Sequence, residues 1–358
     1  MKKINLQCPI GYTGYGITSL NILKHLSHKA EVSLFNIGNI GGVNTEQDLQ
    51  DVQQCIQNAK NFDTQAPTVK IWHQTHLKQR IGNGLYSSFP FFELDRLSPD
   101  ERNEINYCDK IYTASKWSKQ VLLDNDISIP ITVCPLGVDR DIFKPQQKIQ
   151  NNKYIFLHIG KWELRKSQDI LLHCFEKAFT VKDDVELWLC PHNPFLTEKE
   201  HRYWVNMVKY HRLYDKIKIF SRVKTQYDLA NIISQVDCGV FVSRAEGWNN
   251  EILEVMGMDK PCIVTNYSAH TEYCDKNNSF LVDVENLEPA FDNKWFFGQG
   301  KWAKLGIAEK DCIIHYMKYV YNNNIRSNQA GLETAKNYSW NNTAEIIYQN
   351  AYTQKRKK

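Results

Sequence analysis

The sequence lacks any Cys-x-x-Cys pair, although 10 cysteines are spread along its 358 residues. Several of them stand inside apolar runs such as DCGVFV and PCIVT, which favours buried, reduced thiols over a disulfide framework. No cysteine spacing suits zinc, so we expect no metal site. The chain also lacks a run of 18 apolar residues and an apolar leader near its start, so we expect a cytoplasmic protein without a transmembrane segment.

Strong charge of either sign is missing too. The formal net charge is +4 at pH 7, which permits a phosphate-bearing partner without requiring one. Hydrophobic residues make up 42% of the chain and aromatic residues 12%, which is a globular composition. At this length it provides enough apolar side chains for two domains, each with its own core. The basic end of the chain, QKRKK, is typical of a terminal tail.

Apolar runs of strand length alternate with segments of helical periodicity. The runs INLQCPI, EVSLFNI, VKIWHQT, KIYTAS and ITVCPLGV come first, and the polar stretch 143–153 then interrupts the pattern like a linker. A second series runs from YIFLHIG to SFLVDV, which we interpret as the last strand. Alternating strands and helices predict parallel sheets covered by helices on both faces. We therefore expect two doubly wound, Rossmann-like α/β domains, at 1–146 and 150–337.

The first loop whose residues suit ligand binding is GYTGYG, at 11–16, between a predicted strand and a helix. Glycines at this place let backbone N–H groups approach a phosphate beside a helix N-terminus. The loop lacks the third glycine of the dinucleotide fingerprint, and the second strand ends in Asn36 instead of an acid. An NAD-dependent oxidoreductase is therefore disfavoured, and a glycine turn without a ligand remains an alternative.

The second loop is GKWELRKSQD, at 160–169, directly after the strand YIFLHIG. Ligands of open parallel sheets bind beyond the carboxyl ends of the strands. Lys161, Arg165 and Lys166 stand at such an end, where cations suit a diphosphate. The alternative is a solvated basic turn.

The third loop contains the stretch EGWNNEILE, in which two acids, Glu246 and Glu254, stand seven residues apart in a loop and a helix. We expect the preceding strand to end at Ser243, and Asn249 or Asn250 to cap the helix. A carboxylate accepts two hydroxyls of a sugar diol, and backbone N–H groups at the helix start suit a diphosphate. The alternative is a capping acid followed by a surface glutamate.

These motifs together resemble the retaining GT-B glycosyltransferases, in particular glycosyltransferase family 4. The E-x7-E motif of that family appears as EGWNNEILEVMGMDKPCIVTN, and its G-R-x-x-x-x-K-G loop appears as GKWELRKS. Its linker signature resembles CPLGVDRDIFKP (134–145), and a segment of some members resembles FFELDRLSPDE (91–101). YSWNNTAEIIYQNAY is similar to its C-terminal helix. The resemblance implies two domains facing a cleft, with a helix in 338–358 crossing back to the first domain.

The resemblance also implies roles for individual residues. Glu254 would hold the ribose hydroxyls of the donor, and Glu246 the hydroxyls of the transferred sugar. Lys161 and Lys166 would neutralise the leaving diphosphate, without a metal or other cofactor. The complete donor-binding set implied in this way is Gly14, Tyr15, Lys161, Lys166, Glu246, Gly247, Trp248, Asn249 and Glu254. The chain departs from the family pattern where Lys161 replaces an arginine and Ser167 a glycine.

A histidine of the first domain near the reacting sugar is common in the family. WHQTH offers His73 and His76 at the end of a predicted strand, and we assign the catalytic position, with Glu246 and Lys166, to His76. We place His73, Glu93, Asp95 and His270 on the acceptor side.

The sequence thus predicts sugar transfer from a nucleoside-diphosphate sugar to an acceptor hydroxyl, with retention at the anomeric carbon. We expect a glycan or glycolipid as the acceptor, which leaves a peripheral association with a membrane open. Two alternatives are transfer to a modified, hydroxymethylated pyrimidine in DNA and a non-catalytic protein that binds sugar nucleotides. The sequence does not reveal the nucleotide, the sugar or the oligomeric state.

Overall fold

The computed structural model of the chain describes residues 1–146 and 152–353. The predicted domain boundaries at 146 and 150 adjoin residues 147–151, which lie outside the described residues together with the basic tail, residues 354–358.

The chain forms two compact units. The first comprises Met1–Asp139 and Tyr338–Lys358, and the second comprises Arg140–Asn337. The first unit is therefore discontinuous in the sequence, whereas the second is continuous.

The first unit is built on a parallel sheet with the strand order β2-β1-β3-β4-β5-β6. Its strands are β1 Lys3–Cys8, β2 Glu31–Asn36, β3 Thr68–Lys70, β4 Tyr86–Ser88, β5 Lys110–Thr113 and β6 Ile131–Val133. The helices between them are α1 Gly14–Ser27, α2 Glu46–Asn58, α3 Pro99–Asn106 and α4 Lys116–Asp124. The outward order from β1 to β2 on one side and to β3 on the other is the doubly wound arrangement that the alternating pattern predicted.

The second unit repeats this architecture with the strand order β12-β11-β10-β7-β8-β9, also parallel. Its strands are β7 Tyr154–Ile159, β8 Val185–Cys190, β9 Ile217–Ile219, β10 Cys238–Phe241, β11 Cys262–Asn266 and β12 Phe280–Asp283. Its helices are α5 Gln168–Ala178, α6 Glu198–Lys209, α7 Gln226–Ser234, α8 Asn250–Gly257, α9 Ile307–Asn322 and α10 Gln329–Asn337. Strands β7 and β8 are buried along their whole length, as expected for a sheet covered on both faces.

Helix α11, Trp340–Ala351, packs against α1 in the first unit. The hydroxyl of Tyr112 donates to the carbonyl of Ile347, and Nζ of Lys110 donates to the carbonyl of Thr353 at 2.7 Å. The C-terminal helix thus belongs to the first unit, as the resemblance implied.

Three predictions about elements were wrong. SFLVDV is not the last strand, because an antiparallel hairpin follows it, with β13 Leu287–Phe291 and β14 Phe297–Ala303. The strand predicted in VKIWHQT ends at Lys70, so that His73 and His76 lie in an irregular segment beyond it. The strand before the E-x7-E motif ends at Phe241 instead of Ser243.

Nine of the ten cysteines are buried, and Cys312 is partly exposed. Burial raises the pKa of Cys8 and Cys174 to about 12 in each case, which keeps both thiols protonated. Among the described residues, no helix is both long and apolar enough to cross a bilayer.

Candidate active site

Two loops of the second unit meet because their strands are neighbours. Strands β7 and β10 pair in parallel, so their carboxyl ends lie at the same edge of the sheet. The loop 160–167 leaves β7 and the loop 242–249 leaves β10. The backbone N–H of Arg244 donates to the carbonyl of Arg165 at 2.7 Å, which joins the two loops directly. The two loops that the sequence predicted to carry the site therefore lie side by side.

Five charged side chains of these loops form one network, which we call the charged cluster: Lys161, Glu163, Arg165, Lys166 and Glu246. Nζ of Lys166 lies 2.7 Å from Oε1 of Glu246. Nη1 of Arg165 lies 2.7 Å from Oε2 of Glu246, and Nη2 of Arg165 lies 2.9 Å from Oε2 of Glu163. Nζ of Lys161 lies 2.8 Å from Oε1 of Glu163.

Burial makes these pairs strong. The side chains of Arg165 and Glu246 are each only 6% exposed, whereas that of Lys161 is 35% exposed. Burial by itself raises the pKa of Glu246, but the charges of Arg165 and Lys166 outweigh it and hold that pKa far below its usual range. Burial likewise lowers the pKa of Lys166, and Glu246 outweighs this effect and raises it. Glu246 is therefore ionised in the folded protein.

Glu163 has the same balance. Burial raises its pKa, but the charges of Arg165 and Lys161 lower it below its usual range. The cluster holds three cations against two carboxylates, which leaves one excess positive charge. A buried site with excess positive charge suits an anionic group such as a diphosphate.

A second arginine fixes the loops from outside the cluster. Arg244 forms an ion pair with Asp169 at 3.1 Å and donates to Oγ of Ser167 at 3.1 Å and to the carbonyl of Leu164. Ser167 adopts a left-handed conformation, with φ of 60°, at the position where the resembling family has glycine. Arg244 thus stabilises a turn whose backbone favours glycine.

Glu254 lies in helix α8 and is buried, with 4% of its surface exposed. Burial raises the pKa of its carboxyl well above the usual range, and Glu251 adds to this effect. Within the described residues, Oε2 of Glu254 has no hydrogen-bond partner. A buried carboxyl oxygen of this kind is suited to accept a hydrogen bond from a hydroxyl group of a ligand.

The start of helix α8 differs from the prediction. Asn249 occupies the N-cap position with φ of 80°, but its side chain makes no cap hydrogen bond, so the expected capping role is wrong. Its Nδ2 instead lies 3.0 Å from Nε2 of His270, whose Nδ1 lies 3.0 Å from the carbonyl of Thr265. The hydroxyl of Tyr273 donates to the carbonyls of Trp248 and Asn249 at 2.8 and 2.9 Å.

Two buried histidines flank the cluster. Burial lowers the pKa of His270 to about 4 and that of His158, in strand β7, also to about 4. Nδ1 of His158 lies 2.8 Å from the carbonyl of Val240. His270, predicted on the acceptor side, thus lies in the second unit behind Asn249. Gly247 is buried in the same loop, and its predicted contact with a donor stays a prediction.

The first unit gathers several other predicted residues at the carboxyl edge of its sheet. Tyr15 lies in the first turn of α1, and its hydroxyl accepts from the backbone N–H of Phe91 at 2.9 Å and donates to the carbonyl of that residue at 3.0 Å. The ring of Tyr15 lies 4.6 Å from that of His73 and 6.0 Å from that of Trp72. Burial raises the pKa of Tyr15 well above its usual range, and Glu93 adds to the effect.

Three further predicted residues of the first unit are Gly14, His76 and Asp95. Gly14 begins helix α1 and is exposed, and a Cβ added to it would meet nothing within 4 Å. His76 is exposed, has φ of 58°, and offers its carbonyl to Nζ of Lys70 at 2.6 Å. Asp95 offers its carbonyl to Nδ2 of Asn125 at 3.0 Å. The catalytic role of His76 stays a prediction.

Sequence reasoning named the cations of the loop 160–169 but missed Glu163 and Arg244. The alternation of charges in KWELRK indicates internal pairing, yet only the fold brings Glu246 and Arg165 together. Within the described ranges, no group of three or more histidine, cysteine, aspartate or glutamate side chains is placed to hold a metal ion.

Comparison with solved structures defines the class of fold. The chain superimposes on sucrose-phosphate synthase from Thermosynechococcus elongatus with a TM-score of 0.73, at 12% identity over 98% of both chains. A glycosyltransferase from Rickettsia africae has a TM-score of 0.69 at 17% identity over 99% of both chains. Anabaena HepE in complex with UDP-glucose has a TM-score of 0.69 at 16% identity, over 99% of this chain and all of that one. The fold is that of the GT-B glycosyltransferases.

A sequence comparison then addresses the second unit. Residues 153–294, within this unit, match the model of the family "Glycosyl transferases group 1". No curated protein sequence matches the chain.

Proposed function

We propose that the protein is a retaining glycosyltransferase that transfers a sugar from a nucleoside-diphosphate sugar to an acceptor hydroxyl. The charged cluster is the observation that supports this most. It places Lys161, Arg165 and Lys166 within one network beside the buried Glu246, at the edge of the sheet where ligands of this architecture bind. The domain match over 153–294 agrees with this assignment.

In this proposal, Lys161 and Lys166 receive the diphosphate of the donor. Stabilisation of charge on a leaving group by preorganised cations is commonly the largest contribution to this kind of catalysis. The same cations give the site the positive charge that a divalent metal would otherwise supply, so we propose that transfer does not require a metal. Glu246 accepts hydrogen bonds from hydroxyls of the transferred sugar, and Glu254 accepts them from the ribose hydroxyls through its buried carboxyl group.

The transfer step needs no base other than the departing diphosphate. The bond between the anomeric carbon and the diphosphate oxygen breaks, and the acceptor oxygen bonds to that carbon on the same face. The acceptor proton passes to the departing diphosphate. Glu246 is paired with two cations and ionised, so in this proposal it orients the sugar and does not attack it.

For the acceptor we propose a glycan or glycolipid hydroxyl. No observation on the described residues favours a modified base in DNA as the acceptor. The cytoplasmic location likewise stays a prediction.

A screen of nucleotide sugars by thermal unfolding tests the donor. UDP-glucose, which is bound by Anabaena HepE, belongs in the panel with UDP-N-acetylglucosamine, GDP-mannose and ADP-glucose. A donor that binds the native state raises the melting temperature by mass action, by several degrees at concentrations far above the dissociation constant. The anomeric configuration of the product, followed by NMR, tests retention, and turnover in the presence of EDTA tests metal independence.

Glu246→Gln and Lys166→Ala are then compared with the wild type in the transfer assay. We expect each substitution to reduce turnover about 100-fold or more, the range known for preorganised charge sites. Near-normal turnover in both variants would contradict the proposal. Binding of a donor without hydrolysis or transfer would favour the non-catalytic binding protein instead.

A further inference from the structure

Arg165 stands apart from the two lysines of the charged cluster. Its side chain is 6% exposed, and it contacts Oε2 of both Glu163 and Glu246. The lysines contact the opposite oxygens, since Lys161 meets Oε1 of Glu163 and Lys166 meets Oε1 of Glu246. Each carboxylate therefore has one lysine partner and shares one arginine.

This division matters when an anion enters. If Lys161 and Lys166 turn toward a diphosphate, both leave their carboxylates. A buried carboxylate that loses its only cation is strongly destabilised and takes up a proton. Arg165 prevents this outcome, because its contacts to the Oε2 atoms do not involve the oxygens that the lysines release.

The geometry also holds Arg165 in place. Nη1 donates to the carbonyl of Ala245 at 2.9 Å in addition to Glu246, and the carbonyl of Arg165 accepts from the N–H of Arg244. A guanidinium is planar, presents several donors at once and keeps its charge in proteins. It is therefore suited to bridge two carboxylates, whereas the flexible lysines are suited to change partners.

We infer that Arg165 is a positioning residue that keeps Glu163 and Glu246 ionised and oriented while Lys161 and Lys166 exchange these carboxylates for the diphosphate of the donor. This inference rests on the proposed function, since it assigns the lysines to the same diphosphate. It assigns Arg165 to the two carboxylates and the two lysines to the diphosphate, and the E-x7-E motif does not make this distinction.

Counting charges gives the test. The wild-type cluster has an excess of one positive charge, from three cations and two carboxylates. Arg165→Met reduces the excess to zero, and Glu163→Gln with Arg165→Met restores it to one. In the double variant Lys161 is released from Glu163, but Glu246 still lacks its guanidinium. Affinity for a diphosphate and turnover should therefore respond differently in the two variants.

The first measurement is the binding of UDP, GDP and ADP by calorimetry, with the nucleotide that binds tightest then used throughout. Arg165→Met should weaken binding roughly tenfold, as expected for the loss of one unit of charge near the site. The double variant should recover most of this affinity. If the double variant binds no better than Arg165→Met, exchange of partners by Lys161 is wrong.

The second measurement is the pH dependence of turnover with the matching nucleotide sugar. Turnover requires ionised Glu246, so the pH–rate profile has an acidic limb, where turnover falls as Glu246 takes up a proton. Loss of Arg165 should move this acidic limb to higher pH by about one unit or more. Turnover at neutral pH should fall on the order of 100-fold in both variants. Arg165→Lys should return part of the turnover and shift the limb back toward that of the wild type.

Arg244→Met is the matched control, because Arg244 also joins the two loops but pairs with Asp169 instead of Glu246. It should lower thermal stability without moving the acidic limb. An unchanged limb in Arg165→Met, or an equal shift in Arg244→Met, would overturn the inference while leaving the proposed function intact. A wild-type protein without turnover on any nucleotide sugar would instead overturn the proposed function.

Discussion

Nε2 of His270 lies 3.0 Å from Nδ2 of Asn249, on the side of the ring opposite to the carbonyl of Thr265. The amide of Asn249 can donate only to an unprotonated Nε2, while Nδ1–H donates to the carbonyl. The neutral form of His270 therefore satisfies both contacts, and the protonated form places two donors face to face. This agrees with the lowering of the pKa of His270 to about 4 by burial.

A loss of stability in mild acid follows from this arrangement. The folded pKa of about 4 lies below the unfolded value of about 6.5. The stabilisation is therefore complete above pH 6.5 and is lost as the pH falls toward 4, with a slope of up to about 1.4 kcal/mol per pH unit for each histidine. His158 contributes a second slope in the same window. Urea unfolding of wild type and His270→Gln between pH 7 and 4 should show a shallower dependence in the variant, and equal slopes would contradict the prediction.

The conformation of Asn249 gives a second prediction. Its φ of 80° lies in the left-handed region, which costs a residue with a Cβ roughly 1–2 kcal/mol relative to glycine. Both Asn249→Ala and Asn249→Gly lose the contact with His270, but only alanine keeps the strained backbone. We expect Asn249→Ala to be less stable than Asn249→Gly by about 1 kcal/mol in chemical denaturation. Alanine equal to or better than glycine would show that the backbone is unstrained at this position.

Glu246→Gln should destabilise the protein in a pH-dependent way. The folded pKa of Glu246 lies below its unfolded value of about 4.3, so its stabilising contribution is present above pH 4.3 and is lost as the pH falls through the folded pKa. At pH 7 the variant leaves Lys166 buried without its carboxylate, at a cost of about 3–5 kcal/mol. The difference between wild type and variant, measured by urea unfolding, should shrink below pH 4.

Two glycines of the loop 11–16 give a matched pair. A Cβ on Gly16 would lie 2.3 Å from the backbone nitrogen of Gly11, whereas a Cβ on Gly14 would meet nothing within 4 Å. Gly16→Ala should therefore destabilise the first unit by several kcal/mol, at the upper end for overpacking substitutions. Gly14→Ala should fold normally, and its transfer activity tests the predicted approach of Gly14 to the donor. A stable Gly16→Ala protein in thermal unfolding would contradict the close approach.

Glu254 is best tested with a pair of ligands. Glu254→Gln should keep the fold, because burial raises the pKa of this carboxyl well above its usual range and the amide has nearly the same shape. If Glu254 accepts ribose hydroxyls, a 2′-deoxynucleoside diphosphate should bind wild type roughly fivefold more weakly than the ribonucleotide, as for one lost hydrogen bond to a neutral carboxyl group. The variant should discriminate much less between the two nucleotides. Undiminished discrimination by Glu254→Gln in calorimetry would place the ribose elsewhere.

The sequence predicted the strands of the two parallel sheets better than it predicted the hairpin β13–β14 and the helices α2 and α3. Strands such as β7 and β8 are largely apolar runs between helices, each with one polar residue, His158 or Glu186, so the sequence pattern predicts them readily. The hairpin β13–β14 was missed because Phe291 and Phe297 are exposed and its strands do not alternate regularly. Helices α2 and α3 were also missed, although Thr45 with Asp48 and Ser98 with Glu101 form capping boxes at their starts.

Some relationships within the candidate site could also be predicted from the sequence, and others could not. Position after the strands was enough to predict that Lys166 and Glu246 lie near each other, because loops at one edge of a parallel sheet must be neighbours. The role of Glu254 follows from the resemblance of the E-x7-E motif and stays a prediction. The pairing of Glu163 with Arg165 depends on the fold of a single turn, and the contact of Asn249 with His270 joins residues 21 positions apart. Such partners follow from three-dimensional placement and not from spacing.

Helix α11 has a consequence for synthesis of the chain. The carbonyl of Thr353 accepts a hydrogen bond from Lys110, and the first unit consists of Met1–Asp139 completed by Tyr338–Lys358. On the ribosome, all of Arg140–Asn337 is translated before α11 emerges. The second unit thus has its full set of residues first, and the unit that begins the chain is the last to be able to finish folding.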